Sequence, residues 1–370
     1  MKIDIIRSFF RYYLKNKTMS RDGIDINKIS NILIMSNTAI GDSLFSTPVI
    51  KLIKEHYPDK NIIALLNPDS YKLFETNPYI DVIVTYRGKW RNFFQTALKL
   101  RKNKIDLVFI FYSNEPQATP LAFLSGSRYI IKIPNQGNEF NFLHYNKPIS
   151  RSTDSHTILA RLKQLEYIGI DDKSFQMELF PNSSWYEPIR QILDKKHRYI
   201  GIQIGASTVS RMWFNDRWAS LVKKILKYDE DIKIVLTGSP QERHLTDALE
   251  QSINNRRVLN LAGKFDICSA AALIGSLDLL VTPDTGPLHI AAAMGVPTVA
   301  ISVAGSALNS NPIDLLIPHI FIQKPKTCRP CIDKKCKDQK CMLQISVDEV
   351  FDSIVDLKIM SPLRRVHNHW

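Results

Sequence analysis

The sequence predicts an α/β protein made of two open parallel sheets, each wound with helices, in tandem. Three observations lead there. Strand-length apolar runs at 31–35, 61–66, 81–85 and 107–111 are separated by helix-length segments, the alternation that a parallel sheet with crossover helices requires. After an irregular polar stretch over 135–154, a helix over 156–168 and a connection at 181–187, the same alternation starts afresh. The chain has 370 residues, 44% of them hydrophobic, which suits two domains each large enough to bury a core.

In order, the run NILIM at 31–35 leads into a Gly-containing turn, and 44–53 shows helical periodicity. In the second half, strands are expected at 199–204, 232–236, 258–261, 277–281 and 297–301, with helices at 216–227, 240–252, 266–275 and 286–294 between them. The expected domains are 1–182 and 183–345, followed by a helix and tail over 346–370, for which packing back on the first domain is one placement. Two similar open sheets in tandem imply a cleft between them. Ligands of such sheets bind beyond the carboxyl ends of the strands, so the loops after NILIM, GIQI and LLVT are the ones to inspect.

Composition narrows the function classes. Aromatics at 9% and only 14 Gly exclude a disordered or low-complexity chain. No run of about 18 apolar residues spans a bilayer, because 279–303 is broken by Asp284, His289 and prolines. The N-terminus lacks an uninterrupted apolar stretch, which argues against a secretory signal and for the cytoplasm.

The net charge of +13 is unevenly spread: +4 over 1–28, +7 over 86–104, +5 over 323–340 and +2 over 361–370, leaving about −5 for the rest. Basic patches of this kind fit an anionic partner or a solvated face. Residues 1–17 have the composition of an interfacial helix, or of a cap on the first domain. Within 86–104, Trp90, Phe93, Phe94, Ala97 and Leu98 form one stripe, which reads as core.

Three loops carry chemistry. In the first, Thr38-Ala39-Ile40-Gly41-Asp42, the carboxylate reads either as a helix N-cap or as a base for an incoming hydroxyl, and Gly41 admits close approach. The second, Gly205-Ala206-Ser207-Thr208-Val209-Ser210-Arg211, offers hydroxyls and a guanidinium fork that match a diphosphate; the alternative is a surface loop whose Arg meets a carboxylate. Trp213 and Trp218 behind it read as packing residues. In the third, Pro283-Asp284-Thr285-Gly286-Pro287-Leu288-His289, a capped helix start presents N–H groups and a positive dipole end to an anion, with His289 on the same face as Thr285.

These loops, together with Ser46-Thr47-Pro48, Leu236-Thr237-Gly238-Ser239-Pro240-x-Glu242 and Asn260-Leu261-Ala262-Gly263-Lys264, resemble the ADP-heptose:lipopolysaccharide heptosyltransferase family, glycosyltransferase family 9, over about residues 30 to 350. The resemblance implies the two-domain GT-B fold, an acceptor-binding first domain, and a nucleotide-sugar-binding second domain. It implies a metal-independent, inverting transfer without a cofactor, from ADP-heptose to a lipid A-linked oligosaccharide at the inner face of the cytoplasmic membrane. Asp42 then stands at the general base and Arg211 at the basic residue on the diphosphate. Asp284, Thr285, Gly286 and His289 stand in the nucleotide-sugar loop; Ser207, Thr208, Glu242 and Phe265 are further donor contacts. Thr38, Gly41, Arg87, Lys89 and Arg91 are expected on the acceptor. Asn37 departs from the family pattern, which often has Arg or Lys there, and leaves the acceptor open. Another nucleotide-sugar within the same family is the alternative reading.

Cys328-x2-Cys331-x4-Cys336-x4-Cys341 has metal-ligand spacing at its first pair only, so a structural zinc and plain thiols are both readings. A basic nucleic-acid-binding protein with a zinc-ribbon-like loop is the reading from another class. It leaves the Asp-Thr-Gly-Pro loop unexplained, and nucleic acid is not the expected partner.

Overall fold

The computed structural model describes residues 2–17, 19–20, 22–88, 90–132, 138–145, 156–172, 174–303, 307–314, 316–328 and 336–357. They divide into two compact units at residue 180/181, two positions before the expected boundary.

The first unit runs α1 (Lys2–Leu14), β1 (Asn31–Ser36), α2 (Ile40–Leu44), α3 (Thr47–His56), β2 (Asn61–Leu66), β3 (Val82–Thr85), α4 (Phe93–Lys102), β4 (Leu107–Tyr112), α5 (Ala118–Leu124), β5 (Tyr129–Lys132) and α6 (Thr157–Leu162). Among the described residues its five strands lie in the order β3-β2-β1-β4-β5, all parallel. β1 and β4 are covered on both faces, which is why NILIM and LVFIF read as unbroken apolar runs. The helix expected over 44–53 is α3, Thr47–His56, and the short α2 ends just before it at Leu44. Pro48, which has no N–H to give, falls in the first turn of α3, where none is needed. The helix expected over 156–168 tightens after α6 into a 3₁₀ turn over Lys163–Ile168 and stops at Gly169, whose φ of +80° ends it.

The second unit runs α7 (Ser183–Arg190), β6 (Arg198–Gln203), α8 (Asn215–Tyr228), β7 (Ile232–Thr237), α9 (Arg243–Ile253), β8 (Val258–Asn260), α10 (Ile267–Gly275), β9 (Leu279–Pro283), α11 (Gly286–Ala293), β10 (Thr298–Ser302), α12 (Ala307–Ser310), β11 (His319–Gln323) and α13 (Val347–Asp356). Among the described residues its six strands are again parallel, in the order β11-β10-β9-β6-β7-β8. Counting from its own first strand, this is the order of the first unit with one strand added. On α8, Trp218, Leu221, Val222, Ile225 and Leu226 recur at helical spacing and face the sheet; Trp213 meets Trp218 edge-on at 4.9 Å, and both are core, as expected.

Two expectations need correction. The segment 181–187 is no simple connection: Asn182 accepts from the Ser184 N–H and starts α7, which packs on α10. The C-terminal helix packs within the second unit. Val350, Phe351 and Ile354 of α13 enter the second unit's core against α8. The tail 358–370 lies outside the described residues.

Candidate active site

The strand order reverses direction between β1 and β4 in the first unit and between β6 and β9 in the second. Crevices open at such switch points, beyond the strands' carboxyl ends. Asp42 follows β1; Arg211 follows β6, and Asp284, Thr285 and Gly286 follow β9. These five residues therefore lie at the switch point of the sheet to which each belongs, whereas Arg87 and Arg91 follow β3, Glu242 follows β7 and Phe265 follows β8.

In the first unit, Asp42 is not an N-cap. It is the third residue of α2, and its carboxylate turns back so that Oδ2 accepts from the Thr38 hydroxyl at 2.6 Å and the Ala39 N–H at 3.3 Å. Oδ1 accepts no hydrogen bond from the described residues. Thr38 is itself held, its carbonyl accepting from Asn67 Nδ2 at 2.8 Å. The Asp42 carbonyl is gripped from below: it accepts from Ser36 Oγ at 2.8 Å, and from Arg161 Nη1 at 2.5 Å. Arg161 reaches in from α6, fully buried, lies near the Phe45 and Phe111 rings, and also donates to Ser46 Oγ at 2.6 Å. The sequence reading missed Arg161. The available signal was a lone guanidinium between the apolar residues of a helix, Ile158, Leu162 and Leu165.

Asn37 is fully buried. Its Nδ2 donates to the Tyr86 carbonyl at 3.0 Å, and its Oδ1 accepts from Ser113 Oγ at 2.6 Å, so it ties the ends of β3 and β4 across β1. A long cation would not fit there without displacing both bonds. Gly41 is buried within α2. Arg87 is exposed and makes a two-armed pair with Asp69, both bonds at 2.7 Å, while Arg91 is exposed and Lys89 lies outside the described residues.

In the second unit, Arg211 Nη1 reaches the Asp284 carbonyl at 3.4 Å, joining the second and third loops. Burial pushes the Asp284 carboxyl above its ordinary range, and the Arg211 charge works against that rise. His289 Nε2 stands 4.0 Å from Asp284 Oδ1. Thr285 occupies the N-cap of α11 in extended backbone, but its hydroxyl bonds back to the Pro283 carbonyl at 3.2 Å. Pro287 has no N–H and the Leu288 N–H donates to the Thr285 carbonyl at 3.1 Å, so the Gly286 N–H, uncapped by any side chain, is the donor left at the dipole's positive end. Ser207 is exposed, and Thr208 Oγ1 lies 3.3 Å from Ser210 Oγ.

Glu242 has more to do inside the chain than the sequence suggests. Its Oε2 accepts from the Ser239 N–H at 2.7 Å and hydroxyl at 2.8 Å, and a Cβ at Gly205 would fall 1.8 Å from its Oε1. Gly205 is thus required by close approach. Phe265 is half-buried in the loop beyond β8, on the same carboxyl edge as the other loops. The cysteine-rich loop is only partly visible: Cys328, Cys336 and Cys341 are thiols, Cys341 Sγ lies 3.0 Å from Thr327 Oγ1, and Cys331 lies outside the described residues.

A family profile for glycosyltransferase family 9 (heptosyltransferase) matches residues 96–342, two thirds of the chain. The chain belongs to this family. It is accordingly an enzyme, a glycosyltransferase of the heptosyltransferase kind. Among family relatives, lipooligosaccharide heptosyltransferase 2 of Campylobacter jejuni is 29% identical over 88% of this chain and 98% of its own. Lipopolysaccharide heptosyltransferase 3 of Escherichia coli is 27% identical over 70% of this chain and 80% of its own. Among solved structures, the family 9 glycosyl transferase of Veillonella parvula superposes with a TM-score of 0.75 at 20% identity, covering 90% of this chain and 98% of that one. ADP-heptose LPS heptosyltransferase II of E. coli gives 0.71 at 17% identity, covering 89% and 99%. The two-sheet GT-B architecture is shared with these family structures. No helix among the described residues is long and apolar enough to cross a membrane.

Proposed function

We propose that this family member transfers a heptosyl group from ADP-heptose to the lipopolysaccharide inner core with inversion at the anomeric carbon, and without a metal. The observation that carries the reading is the Asp42 carboxylate, oriented by Thr38 and Ala39 with Oδ1 left to meet a substrate. The acceptor hydroxyl oxygen attacks the anomeric carbon as the bond to ADP breaks; its proton passes to Asp42, and ADP departs with the bonding electrons. Positive charge for the departing diphosphate comes from Arg211 and the Gly286 N–H at the dipole's positive end of α11. Asp284 and His289 hold the sugar side of the donor, Glu242 and Phe265 the nucleoside side, and Ser207 and Thr208 the diphosphate flank. Arg87, Lys89 and Arg91 bind the acceptor, whose anionic groups compete with Asp69 for Arg87. The enzyme works in the cytoplasm, at the inner face of the cytoplasmic membrane that carries the acceptor.

Transfer assays with ADP-heptose and isolated core acceptor test this directly. Asp42→Ala is expected to lower kcat about a thousandfold, within the range for loss of a positioned base, while ADP affinity changes less than about twofold. Near-normal turnover of that variant would end the assignment.

A further inference from the structure

The N-terminal helix has a use that the reaction does not absorb. α1 lies beside α4, and Phe10 is the joint: its ring stands 5.4 Å from Trp90, 5.3 Å from Phe93 and 6.2 Å from Phe94. Phe10 and Leu14 are buried in the first unit's core with Phe93, Ala97 and Leu100. The stripe read from sequence as core is therefore only partly so. Phe94 and Leu98 turn outward at 60% and 64% exposure, and on α1 Phe9 and Tyr12 do the same at 57% and 83%. Phe9 contacts Phe10 edge-on at 5.7 Å and stacks on Tyr13 at 6.0 Å, so the exposed rings form a ridge continuous with the buried joint.

Among the described side chains of α1, its C-terminal end and α4, the exposed charges share one sign. Arg11 flanks the ridge on α1, Lys15 and Lys17 just past the end of that helix, and Lys99, Arg101 and Lys102 on α4. Residues 8–17 and 90–104 contain no acidic side chain; Glu139, 4.0 Å from Arg11, is the acidic group paired with this set. Exposed aromatic and aliphatic side chains ringed by cations match a surface that is apolar beneath an anionic layer. An acidic protein or a nucleic acid would satisfy the cations but leave Phe94 and Leu98 in water.

We infer that α1 and α4 together form a docking surface for an anionic lipid bilayer, with Phe9, Tyr12, Phe94 and Leu98 entering the headgroup boundary and the six cations resting on it. This rests on the membrane reading above and deepens it, since it makes the contact a rigid two-helix face and not a detached N-terminal anchor.

Flotation of the full chain with vesicles tests it, using pure phosphatidylcholine and phosphatidylcholine with about one third phosphatidylglycerol. The chain is expected to float with the anionic vesicles, to ignore the neutral ones, and to be released by high salt. Phe9→Ser/Phe94→Ser/Leu98→Ser and, separately, Lys99→Glu/Lys102→Glu are each expected to weaken partition at least about tenfold. Both are expected to keep ADP affinity and transfer to a soluble, delipidated acceptor. Should the triple variant fold poorly, the charge pair, wholly on the surface, decides alone. Unchanged partition in the variants, equal binding to neutral vesicles, or capture of RNA in preference to vesicles would overturn the inference. Failure of heptosyl transfer with partition behaving as expected would instead remove the donor assignment and leave the surface standing.

Discussion

The hydroxyl of Thr38 is the shortest tether on the Asp42 carboxylate, at 2.6 Å, and it is removable without changing side-chain shape. Thr38→Val should therefore leave Asp42 present but less well aimed: kcat is expected to fall about tenfold, with ADP affinity unchanged, when steady-state kinetics are compared with ADP titrations. Residues of this kind, near a motif and in sequence with it, were open to reading from the chain alone. Asp42, Arg211 and Asp284 are legible as candidates because loop, strand end and chemistry coincide within a few positions. Arg161 was not, because its partner is a backbone carbonyl 119 positions away, and no local pattern encodes that distance. Asn37 was noticed only as a departure. Its actual work, a bridge from Tyr86 to Ser113, depends on strand neighbours set by topology.

Helices and strands show the same division. Long periodic elements such as α8 were legible in both kind and extent. β5 and β11, YIIK and HIFIQ, were missed although β3 and β8 are no longer, because each borders a Pro-containing stretch and not a helix-length segment, so the strand–helix alternation does not mark it. The strand expected at 277–281 is Leu279–Pro283, shifted by two, since a Pro can close a strand where the ladder ends. α13 was foreseen as a helix, but its destination was not, because an apolar stripe says only that something covers it. Its stripe sits on α8, where the Lys224 ammonium lies 4.4 Å from the Phe351 ring centre and also pairs with Asp348 at 2.5 Å. Ile354 is fully buried there, so Ile354→Ala is expected to cost about 2–4 kcal/mol in urea unfolding, with kcat little changed under conditions where the variant is folded.

Across the whole molecule, charge and protonation set the working range. Each unit holds a histidine that folding keeps neutral: loss of solvent pushes His144 down to about 3 and His319 down to about 4 from the ordinary 6.5. His144 Nε2 meets Thr119 Oγ1 at 3.0 Å; His319 Nδ1 meets Thr298 Oγ1 at 2.9 Å, and its Nε2 has no partner among the described residues. In the unfolded chain both rings take up a proton near 6.5, whereas in the fold they do so only near 3 or 4. Stability is therefore expected to be full above 6.5 and to fall on acidification, by about 1.4 kcal/mol per pH unit for each ring, until the folded values are reached. Thermal melts from pH 7 to 5 measure it, and His144→Asn/His319→Asn should flatten the fall. The division at residue 180/181 has a practical side as well. Each unit is an unbroken stretch of sequence, and α13 stays with the half that encodes it, so the backbone passes from one to the other a single time. One ligation junction is then enough for segmental isotope labelling. Spectra of the intact enzyme can be collected with only residues 181–370 visible, halving the signals while nucleotide is added.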